Sequence, residues 1–306
     1  MKYVAYLLFG ILLIPKLSSS QTFSAIRKPE GILIREGKKK VLFYQVKPSS
    51  FNGKYKRANY IHPLYGTDGA VLTEDFPEDH RHHRGIFWAW HQVLVGGKAM
   101  GDAWECRDFN WEVTRADALQ SDTLMMLKTQ VEWSSPSYTD AAGKPIIFME
   151  EETSITIHPV LSQYRVIEFR ILLRALQPDV SIGGSQDEKG YGGFSLRLKL
   201  PDDLQFRTQQ GTVIPTVEPV MAGNWMQVSG SLGKGGRQAG VVIISDNGPP
   251  GEKVAWILRN KASMQNQAFP GSEPIPVPQE SPLILNYRLL IYGGSLPSEA
   301  GKIISQ

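Results

Sequence analysis

Apolar and polar side chains alternate along much of the chain, as they do in strands that bury one face. Between residues 167 and 173 the apolar positions include Ile167, Phe169, Ile171 and Leu173. The same period of two recurs in 196–200 and 283–291. Further strands are predicted at 31–36, 40–46, 86–91, 123–133, 146–158, 239–245 and 253–259.

Closely spaced strands with no amphipathic helix between them predict an all-β fold, a large antiparallel β-sandwich with few helices. The 29 glycines and 20 prolines among 306 residues are typical of a chain with many turns. The sequence contains no repeat and no linker, and a chain of this length can bury a large core as one unit. We therefore predict a single β-sandwich domain over residues 21–306.

The first 20 residues have the pattern of a secretory signal peptide. Lys2 precedes the apolar run 3–15, and small residues follow at 18–20. An apolar run of this length is too short to span a bilayer, which needs about 20 residues. We expect cleavage near Ser20, a periplasmic or secreted protein, and no membrane attachment after cleavage. A short uncleaved anchor is the alternative.

The net charge and the cysteine content bear on which molecules the protein can bind and on whether it can form disulfides. A formal net charge of +3 is too small to indicate binding to nucleic acid. The basic segment 27–57 is interpreted as a solvated edge hairpin that turns near Gly37, rather than as a patch for an acidic polymer, because lysines discourage pairing between sheet edges. Cys106 is the single cysteine, so no internal disulfide can form, and we expect it to be a small buried residue.

Candidate chemistry is concentrated in one short part of the chain. Five of the six histidines fall within 30 residues: His62, His80, His82, His83 and His91. The acidic stretch 74–79 is interrupted by a proline and is predicted to be a loop that leads into the strand 86–91. Functional side chains are common on loops that a rigid sheet holds, and histidine titrates near neutral pH. The pattern therefore favours a functional site over a hydrogen-bonded polar turn.

The first interpretation of this site is acid–base catalysis. His80 or His83 would act as general acid or base, and Asp79 or Glu74 would orient the imidazole and complete the catalytic set. Arg84 would bind an anionic group or developing negative charge. We expect the histidines to be loop side chains that contribute little to the core.

A metal site and a simple binding loop are the competing interpretations. His80 and His82 form a His-x-His pair, whose rings would point to one side of an extended segment. Further ligands would have to come from His62, His91, Glu74 or Glu105. Because no complete ligand spacing is visible, we predict no metal ligands and no cofactor, with a divalent metal at the histidines as the alternative.

Aromatic residues near the histidines suggest a surface for a sugar ring. Trp88 and Trp90 lie two positions apart and would share one face of a strand, where aromatic rings can stack on a sugar, although at least one of them is expected to pack in the core instead. Trp104 and Glu105 form a second polar and aromatic patch, and Tyr191 lies in a glycine-rich turn. The predicted substrate-binding set is His62, His82, Arg84, Trp88, Trp90, His91, Trp104, Glu105 and Tyr191.

The run from Asp79 to Gly85, Asp-His-Arg-His-His-Arg-Gly, resembles a motif of exported bacterial proteins known as the PmoA-like family. The usual form of that motif has proline where this chain has Arg81. The resemblance extends to residues 60–66, 102–105 and 190–193, and more weakly to 225–230, so it covers most of the mature chain.

The name of that family refers to a methane mono-oxygenase subunit, an integral membrane protein with several spanning helices. This chain has only one signal-length apolar run, so the name misleads here. The resemblance implies instead a galactose mutarotase-like β-sandwich and a role in carbohydrate breakdown. We expect an exported carbohydrate-active protein, an enzyme acting on a glycan or sugar derivative. The alternatives are a non-catalytic glycan-binding protein and a metal-dependent oxygenase.

Overall fold

The computed structural model describes residues 22–121, 123–247 and 252–304, and the expected signal peptide 1–20 lies outside them. Within these ranges the chain forms 24 strands and one short helix. The prediction of an all-β fold with few helices is confirmed. No helix among the described residues is long and apolar enough to cross a membrane. The assignment of 21–306 to a single domain stays a prediction.

The strands follow one another closely along the chain. The first twelve are β1 (Phe23–Arg27), β2 (Gly31–Glu36), β3 (Lys39–Gln45), β4 (Ser49–Phe51), β5 (Lys54–Arg57), β6 (Tyr60–Leu64), β7 (Ile86–Trp90), β8 (Gln92–Val95), β9 (Lys98–Ala99), β10 (Asn110–Gln120), β11 (Met125–Thr139) and β12 (Pro145–Ile157). The others are β13 (Tyr164–Ala175), β14 (Val180–Gly183), β15 (Gly192–Leu196), β16 (Gln205–Thr208), β17 (Gly211–Val213), β18 (Val220–Ala222), β19 (Trp225–Gly230), β20 (Ala239–Ser245), β21 (Val254–Ile257), β22 (Gln265–Gln267), β23 (Ile275–Pro276) and β24 (Leu283–Gly293), and α1 (Ala300–Ile304) follows.

Two nine-stranded antiparallel sheets form the sandwich. The first has the strand order β1-β2-β3-β6-β7-β15-β22-β21-β18, and the second has the order β10-β11-β12-β13-β24-β20-β19-β16-β17. Two smaller sheets have the orders β23-β14-β8-β9 and β4-β5. The strands β7 and β15, which lie in the middle of the first sheet, are central to the site described below.

The apolar core lies between the two large sheets. In β13 the alternating residues predicted to face inward are all buried, namely Ile167, Phe169, Ile171 and Leu173. Trp88 of the first sheet stacks on Phe194, with 6.2 Å between ring centroids, and its edge meets Phe169 of the second sheet. The period of two therefore reports which face of this strand meets the opposite sheet.

The structure corrects the prediction of a strand over 196–200. The strand β15 ends at Leu196, and Arg197, expected on a solvated face, is buried. The reason is that Arg197 forms ion pairs with Glu74 and Asp79, which lie in the loop before β7. A guanidinium that has such partners can be buried, because they supply the charge and hydrogen bonds that water would otherwise provide.

The basic hairpin is confirmed in part. The strands β2 and β3 are joined by a turn at residues 37–38, as expected. The hairpin does not form the sheet edge, however, because β1 pairs with β2 and lies outside it. Glu36, expected to be solvated, is buried and accepts a hydrogen bond from Nη2 of Arg165 at 2.6 Å. The backbone N–H of Val160 donates to the same carboxylate. This ion pair is buried on both sides, with 5% and 6% of the two side chains exposed.

Candidate functional site

The loop over residues 74–85 carries most of the candidate residues, and Arg197 at the end of β15 holds it in place. Nη1 and Nη2 of Arg197 donate to the two carboxylate oxygens of Asp79 at 2.9 and 2.8 Å. Nε donates to Oε2 of Glu74 at 2.9 Å. This bidentate pairing fixes the orientation of the Asp79 carboxylate. Sequence reasoning missed Arg197, because its alternation with leucines placed it on an exposed strand face.

Arg84 holds the base of the same loop and is fully buried. Its guanidinium donates to Asp75 and to the hydroxyl of Tyr60, and it lies 3.6 Å from the ring centroid of Phe76. These partners occupy the guanidinium and separate it from solvent. The expectation that Arg84 binds substrate is therefore corrected: the residue supports the loop. Glu74, expected in the catalytic set, is likewise engaged by Arg197.

Gly85 lets the loop enter the sheet beside β6. Its φ is +34°, and a Cβ at this position would lie 1.9 Å from the carbonyl oxygen of Ile61. No side chain fits in that space, so only glycine allows the backbone to approach so closely. The glycine that ends the histidine motif is therefore required for the close approach of this segment to β6.

His80 is the most exposed member of the cluster. Its Nδ1 lies 3.2 Å from Oδ2 of Asp79, and 39% of its side chain is exposed. Burial would raise the pKa of Asp79, but the hydrogen bonds from Arg197 and His80 outweigh it and hold that pKa below its ordinary value. No described residue bonds to Nε2 of His80. The imidazole is therefore oriented by an ionised carboxylate and can exchange a proton through Nε2.

His82 and His83 lie beneath His80. The ring of His83 stacks on that of His80 with centroids 4.7 Å apart, and His82 meets His83 edge-on at 4.5 Å. Burial, together with the neighbouring His80 and Arg57, lowers the pKa of His82 to about 3. Glu105 lies 3.4 Å from Nδ1 of His82, but its carboxylate is 37% exposed and solvated, so it does not offset the burial.

His83 is more deeply buried than a loop side chain was expected to be, with 2% of the residue exposed. Burial and the neighbouring His82 and His80 lower its pKa well below the ordinary value. Its Nδ1 has no hydrogen-bond partner among the described residues. His83 is therefore a neutral packing partner beneath His80 in this structure, and the expectation that it contributes little to the core is corrected.

A second carboxylate–imidazole pair lies where β7 ends. Nδ1 of His91 lies 2.9 Å from Oδ2 of Asp102, whose other oxygen accepts a hydrogen bond from the backbone N–H of Glu105. Burial would raise the pKa of Asp102, but the bonds from His91 and Glu105 lower it overall. The His91 ring stacks on Trp104 at 5.5 Å, and 21% of the side chain is exposed. The pair has the same arrangement as Asp79 and His80.

His62 stands apart from the other histidines. It lies on β6, and its Nδ1 is 3.0 Å from the hydroxyl of Thr73. Burial lowers its pKa, and the charged groups around it are Asp75, Arg84, Glu74 and Lys199. No ring contact joins His62 to the cluster in the described part of the chain. The structure therefore places His62 outside the group of histidines in ring contact, and its role in substrate binding stays a prediction.

The tryptophans divide into core and site residues. Trp88 and Trp90 are 1% and 0% exposed, because β7 is buried on both faces. Both pack in the core, as expected for at least one of them, and the structure corrects the expectation that they stack on a sugar. Trp104 is also buried, but its ring contacts two histidines of the site: it meets His83 edge-on and stacks on His91. Tyr191 is half-buried and lies 5.8 Å from Trp104 between ring centroids. Tyr191 is therefore the aromatic ring at the edge of the site.

The arrangement of the acidic, histidine and cysteine side chains bears on the predicted absence of metal ligands. No group of three or more His, Cys, Asp or Glu side chains in those ranges is arranged to hold a metal ion. The rings of His80 and His83 are parallel, with 4° between their planes, and the carboxylate partners of His80, His82 and His91 all lie at Nδ1.

The chain belongs to a family of unknown function, DUF6807, whose sequence model matches residues 32–303. No curated protein sequence matches it. Among solved structures it is similar to a candidate mutarotase, YeaD, from Salmonella typhimurium, at 10% identity and a TM-score of 0.35, covering 89% of this chain and 94% of that one. It is also similar to a mutant of the heparan sulfate lyase HepC from Pedobacter heparinus, at 11% identity and a TM-score of 0.32. That match covers 92% of this chain and 37% of the lyase.

Proposed function

We propose that the protein is an enzyme that transfers protons on a carbohydrate substrate at the histidine cluster. One observation carries the proposal: two partly exposed imidazoles, His80 and His91, each have Nδ1 beside a carboxylate of lowered pKa. The rings of His83 and Trp104 connect them. A pair of oriented imidazoles can supply both the general base and the general acid that such chemistry needs.

In the proposed reaction one imidazole accepts a proton while the other donates one. Nε2 of His80 takes a proton from a substrate hydroxyl or an acidic C–H, and Asp79 stabilises the imidazolium that forms. His91, entering the reaction protonated beside Asp102, gives its proton to the leaving or ring oxygen. The enzyme and substrate together keep the same number of protons. His82 and His83 stay neutral beneath the reacting groups, because burial opposes their protonation.

The carbohydrate class is supported by the resemblance of residues 79–85 to the PmoA-like family, which implies a role in carbohydrate breakdown. Tyr191 is the aromatic side chain that could stack on a sugar ring, since Trp88 and Trp90 are buried. An exported protein would meet glycans outside the cytoplasm, and we propose this location on the signal-peptide pattern of residues 1–20.

The test is turnover of a panel of mono- and oligosaccharides in D₂O, followed by proton NMR. Interconversion of anomers, exchange of C–H for C–D and new reducing ends each report a different proton-transfer reaction. We expect the active member to lose about 10²–10⁴-fold in rate with either His80→Ala or His91→Ala.

His158→Gln is the matched control, because His158 forms a carboxylate–imidazole pair with Glu168 outside the cluster. This variant should keep the wild-type rate. Turnover that survives both substitutions in the cluster would contradict the proposal.

A further inference from the structure

A cavity of about 500 Å³ lies beside β5, β10 and the first residues of β12, and none of the histidine-cluster residues lines it. Its volume is in the range of sites that hold small molecules. Apolar side chains form part of the wall, including Phe109, Trp111 and Ile147. The site proposed above does not account for this cavity.

The charges around the cavity are mainly positive. Its ionisable lining side chains are Lys47, Lys56, Arg57, Lys144, Glu112 and Glu132, so four cations face two carboxylates. The three lysines are exposed, and none forms an ion pair with a described carboxylate. Such a mouth attracts negatively charged molecules.

Arg57 is the unusual member of this lining. It is 1% exposed, and its guanidinium lies over the ring of Trp111 at 4.2 Å. Nε donates to Sγ of Cys106 at 3.3 Å, and Nη2 donates to the carbonyl oxygen of Ala103. Nη1 has no hydrogen-bond partner in the described ranges, and no described carboxylate pairs with the guanidinium. A buried cation without an anionic partner is unfavourable.

We propose that this cavity binds a small organic anion whose carboxylate pairs with Arg57 and whose body lies against Trp111. Such a ligand supplies the two things that the cavity lacks: an acceptor for Nη1 and a negative charge beside a buried cation. A neutral ligand of the same shape supplies neither. The inference does not rest on the proposed proton-transfer function, and no member of the histidine cluster lines the cavity, although Arg57 is a charged neighbour of His82.

Titration with glucuronate tests the proposal, with glucose as the neutral match and acetate as the carboxylate without a ring. Binding is measured by calorimetry and by the indole N–H signal of Trp111 in proton–nitrogen NMR spectra, assigned with Trp111→Phe. We expect saturable binding of glucuronate that shifts the Trp111 signal, weaker binding of acetate, and no binding of glucose. Absence of saturable glucuronate binding, or equal binding of glucose, would overturn the proposal.

Variants locate the binding. Lys47→Ala combined with Lys56→Ala should weaken glucuronate binding about fivefold, because two nearby exposed charges are lost. Lys28→Ala combined with Lys38→Ala removes two exposed lysines outside the cavity and should change nothing.

Arg57→Met keeps an unbranched side chain over Trp111 and should weaken binding about 100-fold or more, with folding checked by circular dichroism. Because Lys47 and Lys56 are exposed, the variant that replaces both should fold, and it tests the proposal whether or not the Arg57 variant folds. Wild-type affinity in the lysine pair, or in a folded Arg57→Met protein, would refute the site. His80→Ala, which tests the proton-transfer site, should leave this affinity unchanged.

Discussion

The neutral, buried state of His82 makes a quantitative prediction about stability in acid. Its pKa falls from an ordinary 6.5 to about 3 in the folded protein. Between these pH values His82 is protonated in the unfolded chain but not in the folded one. The contribution of His82 to the free energy of unfolding is therefore fully present above pH 6.5 and is lost as the pH falls. From pH 7 to pH 5 the loss attributable to His82 is about 2 kcal/mol, since each pH unit below 6.5 costs about 1.36 kcal/mol.

His82→Gln removes this titration while keeping a group that can donate to Glu105. Urea unfolding, followed by tryptophan fluorescence at pH 7 and pH 5, gives the free energy of unfolding of each protein. We expect the wild type to lose about 2 kcal/mol more than the variant between the two values. His158→Gln, whose histidine side chain is 36% exposed, serves as the control and should follow the wild type.

NMR titration of the His82 ring gives a direct check on the same reasoning. Its Cε1 proton should not shift between pH 7.5 and pH 4.5. If His82→Gln and wild type lose the same free energy, or if the ring titrates near pH 6, the argument from burial is refuted.

Two further predictions concern residues that fix the fold. Glu36→Gln should cost about 3–5 kcal/mol in urea unfolding, because it leaves the buried Arg165 without a carboxylate, and adding Arg165→Met should recover most of that loss; equal stability of the single and double variants would contradict this. Trp88→Ala should cost about 3–5 kcal/mol as a core substitution, while Tyr191→Ala at the site edge should cost far less, and the reverse order would place Trp88 outside the core.

The strands that could be predicted are those whose own sequence alternates between apolar and polar residues and so shows which face is buried. The strand β13 alternates because one face meets the opposite sheet, and that contact imposes a period of two on the sequence. The strand β7 has no such period, since both faces are buried, and its tryptophans could therefore be mistaken for a surface platform. Burial on both faces depends on which strands and loops cover β7, and local sequence does not record that.

For the histidine cluster too, the local sequence indicates which residues are involved but not which of them are buried or which distant residues contact them. The composition of residues 74–91 indicated a site, and the structure brings His80, His82, His83 and His91 together through ring contacts and Trp104. Spacing alone could not tell that His83 is buried while His80 is exposed. Arg197 lies more than a hundred residues from Asp79, and the pairing of β7 with β15, together with a bridge between Thr73 and Leu198, brings their segments together.

The position of β24 has a consequence for the order in which the chain can fold. Although it is the last strand among the described residues, it lies inside the second sheet, paired with β13 along residues 164–173 and with β20 along residues 239–245. During synthesis, both neighbours emerge from the ribosome before the strand that joins them. Until residues 283–293 arrive, the second sheet consists of two separate halves with unpaired edges, a state that is prone to aggregation. Completion of this sandwich therefore waits for residues 283–293, and loss of that segment would remove the link between the halves.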